Sequence, residues 1–282
     1  MSLTLSIGEL AIKVTNAQAS DLPPWLKPYL APGKKPLATC WGEYGKIARY
    51  GRRILFDSEG AWAVEKTAEG LRLVLKREGA KGKPYQALEL SQDLLRGRAV
   101  IDPEGLEEEK PFFLREPLLE LWYSFLLMHG RGLLLHGCGV KNAQGVKIFL
   151  GDSGAGKTTL ARLAEKHRVG LVLSDDRLIL RPQKKGFFVY GTPWHGEERF
   201  SSPRGGRLLS VHFLQKSTRS YLSPLSPRMA LEKMLKFCIL AGWPRSNLKF
   251  SFDLCARVVQ SVPCYIFEFR KDESALKVGG LL

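Results

Sequence analysis

The amino-acid sequence predicts an α/β protein with a β-rich N-terminal domain in residues 1–110 and a mixed-sheet domain in residues 111–282. Three observations support this fold class. Short segments that alternate apolar and polar residues dominate the first 110 positions. An eight-residue phosphate-binding pattern lies between an apolar strand and an amphipathic helix. Few strand–helix crossovers are evident after Asp175, so the second sheet is expected to be mixed rather than purely parallel.

The N-terminal domain is predicted from strand and turn signals. Strands are expected at residues 3–14, 53–57, 61–65 and 71–76. Residues 58–60, Ser-Glu-Gly, read as a hairpin loop. Residues 71–76 alternate apolar and basic side chains, which predicts a strand with one solvent-facing side. Residues 22–33 are proline-rich and predict a loop or a short helical turn. The acidic, proline-containing segment 102–111 is the candidate linker.

Helices and strands alternate through the C-terminal domain. The helices are expected at residues 117–128, 159–166, 229–240 and 252–259, and the strands at residues 132–136, 146–150, 170–174, 178–180, 187–190, 210–214 and 265–269. The first helix should begin near Pro117, since proline is favoured in the first turn. Its buried face is expected to comprise Leu118, Leu121, Trp122, Phe125 and Leu126, and the second helix should bury Leu160, Leu163 and Ala164.

The phosphate-binding pattern G-x-x-x-x-G-K-[ST] is matched at every fixed position by Gly151, Asp152, Ser153, Gly154, Ala155, Gly156, Lys157 and Thr158. Glycines allow successive backbone N–H groups to form a nest for an anion, and the following helix dipole adds to the attraction. Lys157 would reach the β- and γ-phosphates, Thr158 would join the Mg²⁺ shell, and Thr159 completes the nucleotide-binding set. A glycine- and serine-rich connection that happens to contain lysine is the alternative. The pattern predicts binding of ATP with Mg²⁺.

Two adjacent carboxylates, Asp175 and Asp176, end the predicted strand at residues 170–174. Side chains alternate along a strand, so the two cannot point the same way. One could serve the Mg²⁺ shell while the other faces a reacting hydroxyl, and these are the minimum parts of phosphoryl transfer. Strand pairing could bring them beside Thr158. A simple turn is the alternative, because Asp-Asp often starts one.

Two histidines and a group of arginines are further candidates. His136 precedes a run of small residues that would let it approach a ligand, and a core histidine is the alternative. His195 lies in a loop bounded by glycine and proline, where function is common, although the loop could instead be a tight turn anchored by Trp194. One of four arginines could neutralise charge on a transferring phosphoryl group. They are Arg199, Arg204, Arg207 and Arg219.

Composition excludes several classes of protein. The five cysteines are odd in number, widely spaced and without a C-x-x-C pair, which argues against a disulfide framework or zinc site and suits the cytoplasm. No secretory signal is visible at the N-terminus. The longest apolar segment, residues 118–135, is interrupted by Glu120, His129 and Arg131, so a core helix explains it better than a membrane span.

The net charge of +15 is unevenly distributed. Residues 1–110 contain 17 Lys and Arg against 15 Asp and Glu, so 26 of the 43 basic and 13 of the 28 acidic residues lie in residues 111–282. A positive field there would attract a nucleotide and an acidic acceptor. Nucleic acid would also respond, but neither a zinc finger nor an RNA-recognition aromatic tract is present. A basic surface that serves solubility is an equal alternative.

Taken together, residues 151–158, residues 172–176 and His136-Gly137 resemble the catalytic domain of HPr kinase/phosphorylase in order and interval. Those bacterial enzymes phosphorylate a serine on a small carrier protein. Residues 211–227 are also similar to the related ATP-dependent phosphoenolpyruvate carboxykinases. The loop Thr192-Pro193-Trp194 resembles that of HPr kinase-like proteins, some of which are found beside peptide-maturation genes. The resemblance covers residues 130–270.

This resemblance implies an ATP- and Mg²⁺-dependent kinase with a P-loop domain. Asp175 would take the acceptor hydroxyl's proton, Asp176 would help to hold Mg²⁺, and His136 would line the site, although the two aspartate roles could be exchanged. The family's Glu-Ile-Arg-Gly-Leu-Gly tract has no match here, and residues 1–110 differ from the family's N-terminal domain. The expected acceptor is a serine, or another hydroxyl, on a small protein or peptide. A small-molecule kinase and a non-catalytic ATP-binding module of a peptide-maturation system are the alternatives, and a homo-oligomer is left open.

Overall fold

The computed structural model describes residues 1–48, 51, 53–77, 83–104, 111–239 and 245–282. Its Cα positions divide into two compact units, Met1–Phe125 and Leu126–Leu282. The protein is an α/β molecule with two large mixed sheets and few helices in its described part. The predicted linker falls largely on residues 105–110, which lie outside the described residues.

The first unit is built on an eight-stranded sheet, so the predicted β-rich character is confirmed, although the single strand expected at residues 3–14 is two strands and three others were not predicted. Its strands are β1 (Ser2–Ile7), β2 (Leu10–Thr15), β3 (Ala38–Tyr44), β4 (Ile54–Asp57), β5 (Trp62–Lys66), β6 (Gly70–Lys76), β7 (Pro84–Ser91) and β8 (Arg96–Ile101). The order is β1-β2-β3-β8-β7-β6-β5-β4, with parallel pairs at β2–β3 and β3–β8. The expected hairpin at residues 58–60 is confirmed by antiparallel pairing of β4 with β5. The segment predicted as a loop or a short helical turn at residues 22–33 contains a 3-10 helix, Pro24–Tyr29, and a second 3-10 helix, Ala19–Asp21, precedes it.

Strand β6 departs from expectation because both of its faces are buried. The prediction of a solvent-facing basic side was wrong. Arg72 is an ion-pair partner of Glu65 at 3.2 Å and of Glu89 at 3.6 Å, while Lys76 pairs with Asp57. A buried cation needs an anionic partner, and other strands of the sheet supply one to each: β5 and β7 to Arg72, and β4 to Lys76.

Helix α1 (Leu118–Met128) begins one residue after Pro117, as predicted, and runs through the division between the units. Within the first unit, Trp122 Nε1 donates to the Leu94 carbonyl at 2.9 Å, and the Tyr123 hydroxyl donates to the Leu10 carbonyl at 2.9 Å. Four of the five residues expected on its buried face are buried, and Leu121 is half-buried. The aromatic polar atoms are therefore satisfied inside the core.

The second unit contains the second sheet, whose strands follow one another in a mixed order. They are β9 (Leu133–Lys141), β10 (Val146–Leu150), β11 (Leu171–Ser174), β12 (Arg177–Gln183), β13 (Gly186–Gly191), β14 (Gly205–Lys216), β15 (Tyr221–Pro224) and β16 (Cys264–Phe269). The order is β10-β9-β12-β13-β14-β16-β15, with β11 also on β9 and β10 also on β14. Strands β10, β14 and β16 run parallel, whereas β9, β12 and β13 run antiparallel to their neighbours. The predicted mixed sheet is confirmed.

Helices cover both faces of this sheet. They are α2 (Lys157–Lys166), α3 (Pro227–Lys236), α4 (Arg245–Ser261) and α5 (Ser274–Val278). One hydrophobic cluster joins α2 and α5 to alternate residues such as Cys138 and Phe149, and a second joins α3 and α4 to residues such as Leu135 and Ile148. Alternation along β9 and β10 therefore divides the core between two helical layers. The expected helix at residues 229–240 is confirmed only to Lys236: residues 237–239 are not helical, Cys238 forms a β-bridge with Leu135, and residue 240 lies outside the described part of the chain.

Candidate functional site

The phosphate-binding pattern forms a strand, a loop and a helix N-terminus. Strand β10 ends at Leu150 and α2 begins at Lys157. Gly154 and Gly156 have φ values of +74° and +111°, which side-chain-bearing residues rarely adopt. A Cβ at Gly156 would lie 2.4 Å from the ring of Phe269. The two glycines are thus required by backbone conformation and, at Gly156, also by packing.

Lys157 is buried and folds back over the loop. Its Nζ donates to the Gly151 carbonyl at 2.7 Å and to the Asp152 carbonyl at 3.1 Å. Burial lowers the pKa of Lys157 below its ordinary value, while the charges of Asp176 and Asp152 oppose the shift. The ammonium of Lys157 is therefore held inside the loop, where the negative charge of Asp176 favours its protonated form.

Sheet register sets the place of the aspartate pair relative to the loop. The Gly137 amide donates to the Asp176 carbonyl at 2.9 Å, and Gly137 also pairs with Leu150, the last residue of β10. Strand β9 thus lies between the aspartates and the loop strand, an arrangement that the sequence did not reveal. Two strand spacings put the Asp176 backbone about 10 Å from that of Leu150. Asp176 and the start of the phosphate loop therefore lie at the same position along the strand direction, on either side of β9.

Asp175 is 2% exposed and only one of its oxygens has a described partner. Oδ1 accepts a hydrogen bond from the Gly196 amide at 2.9 Å, whereas Oδ2 has no partner among the described residues. A Cβ at Gly196 would lie 2.8 Å from Oδ2, so the close approach depends on glycine. A buried carboxylate oxygen without a hydrogen bond is costly and fits a site that takes a proton or a cation.

Asp176 forms a cluster with His136 and Arg177. His136 Nδ1 lies 2.8 Å from Asp176 Oδ1, and Arg177 NH1 donates to Asp176 Oδ2 at 2.7 Å. Arg177 NH1 is also 2.8 Å from His136 Nδ1. Nδ1 of His136 can form only one of these two hydrogen bonds at a time. When Nδ1 carries a hydrogen it donates to Asp176, and when it carries none it accepts from Arg177. The cluster has two hydrogen-bonding states.

The charge state of Asp176 follows from its neighbours. Burial raises the pKa of Asp176, but the hydrogen bond with His136 and the charges of Arg177, His136 and Lys157 outweigh burial, and the pKa lies below its ordinary value. Asp176 is therefore ionised at neutral pH. Because the folded pKa is the lower one, this group stabilises the fold above the unfolded value of 3.8, and the contribution is lost as pH falls through the folded pKa.

The small residues after His136 have a packing role. A Cβ at Gly137 would lie 2.5 Å from a Leu150 methyl carbon, and a Cβ at Gly139 would lie 2.9 Å from one of Leu178. The His136 side chain itself is 32% exposed and hydrogen-bonded to Asp176. It is not a core histidine, and the glycines allow the neighbouring strands to pack closely.

The loop at residues 192–200 extends from the aspartates to α2. Ser174 Oγ donates to the Trp194 carbonyl at 3.4 Å, and Arg162 of α2 pairs with Glu198. His195 Nδ1 lies 3.0 Å from the Gly196 carbonyl. The loop therefore contacts Asp175 through Gly196 and the phosphate-loop helix through Glu198.

The arginines predicted to neutralise phosphoryl charge make no described side-chain contact with the aspartate site. Within the described part of the chain, no hydrogen bond or ion pair joins them to the aspartates, His136 or Lys157. The four are Arg199, Arg204, Arg207 and Arg219. Arg177, which sequence reasoning missed, instead pairs with Asp176, and its position directly after the aspartate pair was the available signal. Gly196 was also missed, because a backbone amide carries no sequence signature.

Neither a metal cluster nor a membrane helix is found among the described residues. No group of three or more His, Cys, Asp and Glu side chains is arranged there to hold a metal ion. Mg²⁺ is commonly held by one or two carboxylates together with substrate phosphates, and does not need a dedicated cluster of protein ligands. No helix in the described ranges is both long and apolar enough to cross a bilayer.

No protein-family model matches the chain, and no curated protein matches it.

Proposed function

We propose that the protein is an ATP- and Mg²⁺-dependent kinase that phosphorylates a serine, or another hydroxyl, on a small protein or peptide. The observation that carries this proposal is that the phosphate loop and the aspartate pair lie side by side, at the same position along the strand direction. In addition, the charge of Asp176 opposes the lowering of the Lys157 pKa. A triphosphate cradle beside two carboxylates provides the parts of phosphoryl transfer. The same order of loop, aspartates and His136 supports an HPr kinase-like P-loop domain.

Each side chain has a role that follows from its contacts. Gly196 fixes Asp175 through Oδ1, which leaves Oδ2 to accept the proton of the acceptor hydroxyl. Asp176 and Thr158 would hold Mg²⁺, which supplies positive charge to the phosphate oxygens. Lys157 would exchange its loop carbonyls for phosphate oxygens. The bond from the acceptor oxygen to the γ-phosphorus forms as the bridging bond to ADP breaks.

The test separates nucleotide binding from transfer. Calorimetric titration with ATP and Mg²⁺ should show binding by the wild type and by Asp175→Asn, and severe loss in Lys157→Ala. Serine-containing peptides and small metabolites are then assayed for γ-phosphate transfer. We expect transfer to a peptide, reduced about 10²–10⁴-fold in Asp175→Asn, since a positioned base contributes that much. Retention of transfer by Asp175→Asn would refute the base assignment, and transfer to metabolites alone would favour the small-molecule kinase.

One observation favours a second candidate, a non-catalytic ATP-binding module. Asp175 is only 2% exposed and lies against the backbone of Gly196, so an acceptor hydroxyl has little access to it in this conformation. Such a module would bind ATP, transfer no phosphate to any peptide or metabolite, and tolerate Asp175→Asn. The transfer assay therefore decides between the two candidates.

A further inference from the structure

The geometry points to Arg177 as a further catalytic residue, which neutralises Asp176 before a divalent cation binds and contacts the transferring phosphoryl group afterwards. This inference rests on the proposed kinase function. It assigns to one residue the charge-neutralising role for which four other arginines were candidates.

Arg177 is the arginine in contact with the aspartate site. Its NH1 group donates to Asp176 Oδ2 at 2.7 Å and lies 2.8 Å from His136 Nδ1. The Arg177 side chain is 25% exposed, so it is held by its partners but is still accessible from solvent. Its positive charge also lowers the pKa of Lys157, so it acts at the phosphate loop.

Strand register directs Arg177 to the face that carries the loop helix. Arg177 pairs directly with His136 across β12 and β9, and directly opposed residues project from the same face. Cys138, two positions further on β9, belongs to the core under α2. The arginine therefore projects from the side of the sheet on which α2 begins at Lys157.

Asp176 has one strongly bonded cation at Oδ2, and that cation is Arg177. A divalent cation held by Asp176 would compete with the guanidinium for this oxygen. After a cation displaces it from Asp176, the guanidinium of Arg177 still lies beside the phosphate loop. Its planar arrangement of N–H donors can form two hydrogen bonds with two oxygens of a phosphoryl group. His136 supports the exchange, because a bare Nδ1 can accept a hydrogen bond from Arg177 as Asp176 is released.

Two measurements without an acceptor test this inference. The first is Mn²⁺ binding to the nucleotide-free protein, followed by electron paramagnetic resonance. Arg177→Gln should bind Mn²⁺ about tenfold more tightly than the wild type, because it removes a charge-assisted competitor for Asp176. The second is ADP binding with and without aluminium fluoride, which mimics the transferring phosphoryl group. The wild type should gain about 100-fold in affinity from aluminium fluoride, and Arg177→Gln should lose that gain while keeping its ATP affinity.

Arg181→Gln is the matched control, since it removes the same charge from the same strand four residues away. It should resemble the wild type in both measurements. Arg177→Lys serves if Arg177→Gln does not fold, and it should lose most of the aluminium fluoride gain because a lysine lacks the fork. Wild-type Mn²⁺ affinity together with a full aluminium fluoride gain in the Arg177 variants overturns the inference and leaves the kinase proposal intact. Failure of the wild type to bind ATP or ADP overturns both.

Discussion

At the scale of single residues, Asp175 and Asp176 differ in surroundings although they are adjacent in sequence. Asp175 is buried against a backbone amide, while Asp176 is partly exposed and bonded to two cationic or titratable side chains. Both lie in the two-residue bend between β11 and β12 rather than on a strand, and this bend gives one pair of identical side chains two environments. This difference supports Asp175 as base and Asp176 as metal ligand in the proposed kinase.

Gly196→Ala should disturb Asp175 specifically. The added Cβ would lie 2.8 Å from Asp175 Oδ2, closer than such atoms approach, and either the loop or the carboxylate must move. We expect a loss of about 1–3 kcal/mol in the free energy of unfolding, as for other overpacked sites, together with reduced transfer. Urea unfolding and the transfer assay measure both. Gly60→Ala, where a Cβ would meet open space, is the control, and equal losses in the two variants would contradict the steric argument.

His212 predicts a pH dependence of stability. It is 1% exposed, stacks between Phe149 and Tyr265, and shares a hydrogen bond of 2.8 Å with Ser210. Burial, and then the charge of Lys147, lowers its pKa from 6.5 to about 3. Between these values the unfolded chain binds a proton that the folded chain does not. The free energy of unfolding should therefore fall as pH drops from about 6.5 towards 3, by at most about 1.4 kcal/mol per pH unit.

His212→Phe removes this titration, so its stability should change less between pH 7 and pH 5. Hydrogen exchange of β14 amides at several pH values reports the difference in the second unit. His129→Phe, which replaces an exposed histidine, should retain the wild-type dependence. An unchanged slope in His212→Phe would show that the imidazole is not kept neutral by burial.

At the scale of elements, β6 shows that a strand with alternating apolar and basic residues can be buried on both faces when neighbouring strands supply ion-pair partners. Its basic residues alternate as those of a half-exposed strand do, yet Arg72 is buried beside Glu65 and Glu89. The neighbouring strands β5 and β7 contribute these two carboxylates in register. Charge complementarity between strands, rather than exposure, therefore accounts for the polar positions.

Arg72→Met should destabilise the first unit strongly. The substitution leaves Glu65, whose side chain is 8% exposed, without its buried partner, at an expected cost of about 3–5 kcal/mol. Arg98→Met removes a 53% exposed arginine from Glu43 and Glu89, and should cost under about 1 kcal/mol. Urea unfolding of both variants measures the difference. Similar losses would mean that burial does not govern these ion pairs.

At the scale of the whole molecule, charge is concentrated in one part of the chain. Residues 111–282 contain 26 of the 43 basic residues but only 13 of the 28 acidic ones. If the acceptor approaches this part of the surface, the field should accelerate association with acidic peptides more than with neutral ones. This is the property by which the acceptor's class can be tested before its identity is known.

An acidic serine peptide should bind with an association rate that falls at least about tenfold between low and high salt, as steered encounters do. A peptide of equal length with glutamine and asparagine in place of the acidic residues should show little change. Stopped-flow fluorescence measures both rates. Equal salt dependence for the two peptides would favour the alternative that the basic surface serves solubility.

Local structure followed from the residue pattern wherever a few consecutive residues were sufficient. Phosphate-loop glycines with φ values of +74° and +111°, the hairpin at residues 58–60 and the start of α1 after Pro117 all follow from conformational preferences of a few consecutive residues. Strands β3, β7, β8 and β15 were missed. Strands β3 and β15 pair with β8 and β16, which are distant in sequence, whereas β7 and β8 are consecutive antiparallel strands that sequence reasoning overlooked. Strand β9 also continues through Gly137 and Gly139, where pairing on both sides replaces any strand propensity.

Tertiary structure alone decided the composition of the site. Strand β9 lies between the phosphate loop and the aspartates, Gly196 bonds to Asp175 from 21 residues away, and His136, on a different strand, meets Asp176. The physical reason is that register and loop closure bring together groups whose sequence separation carries no periodic signal. Residue types and local backbone geometry follow from the sequence alone. The formation of the sheet is what determines which amide, cation and carboxylate are buried together.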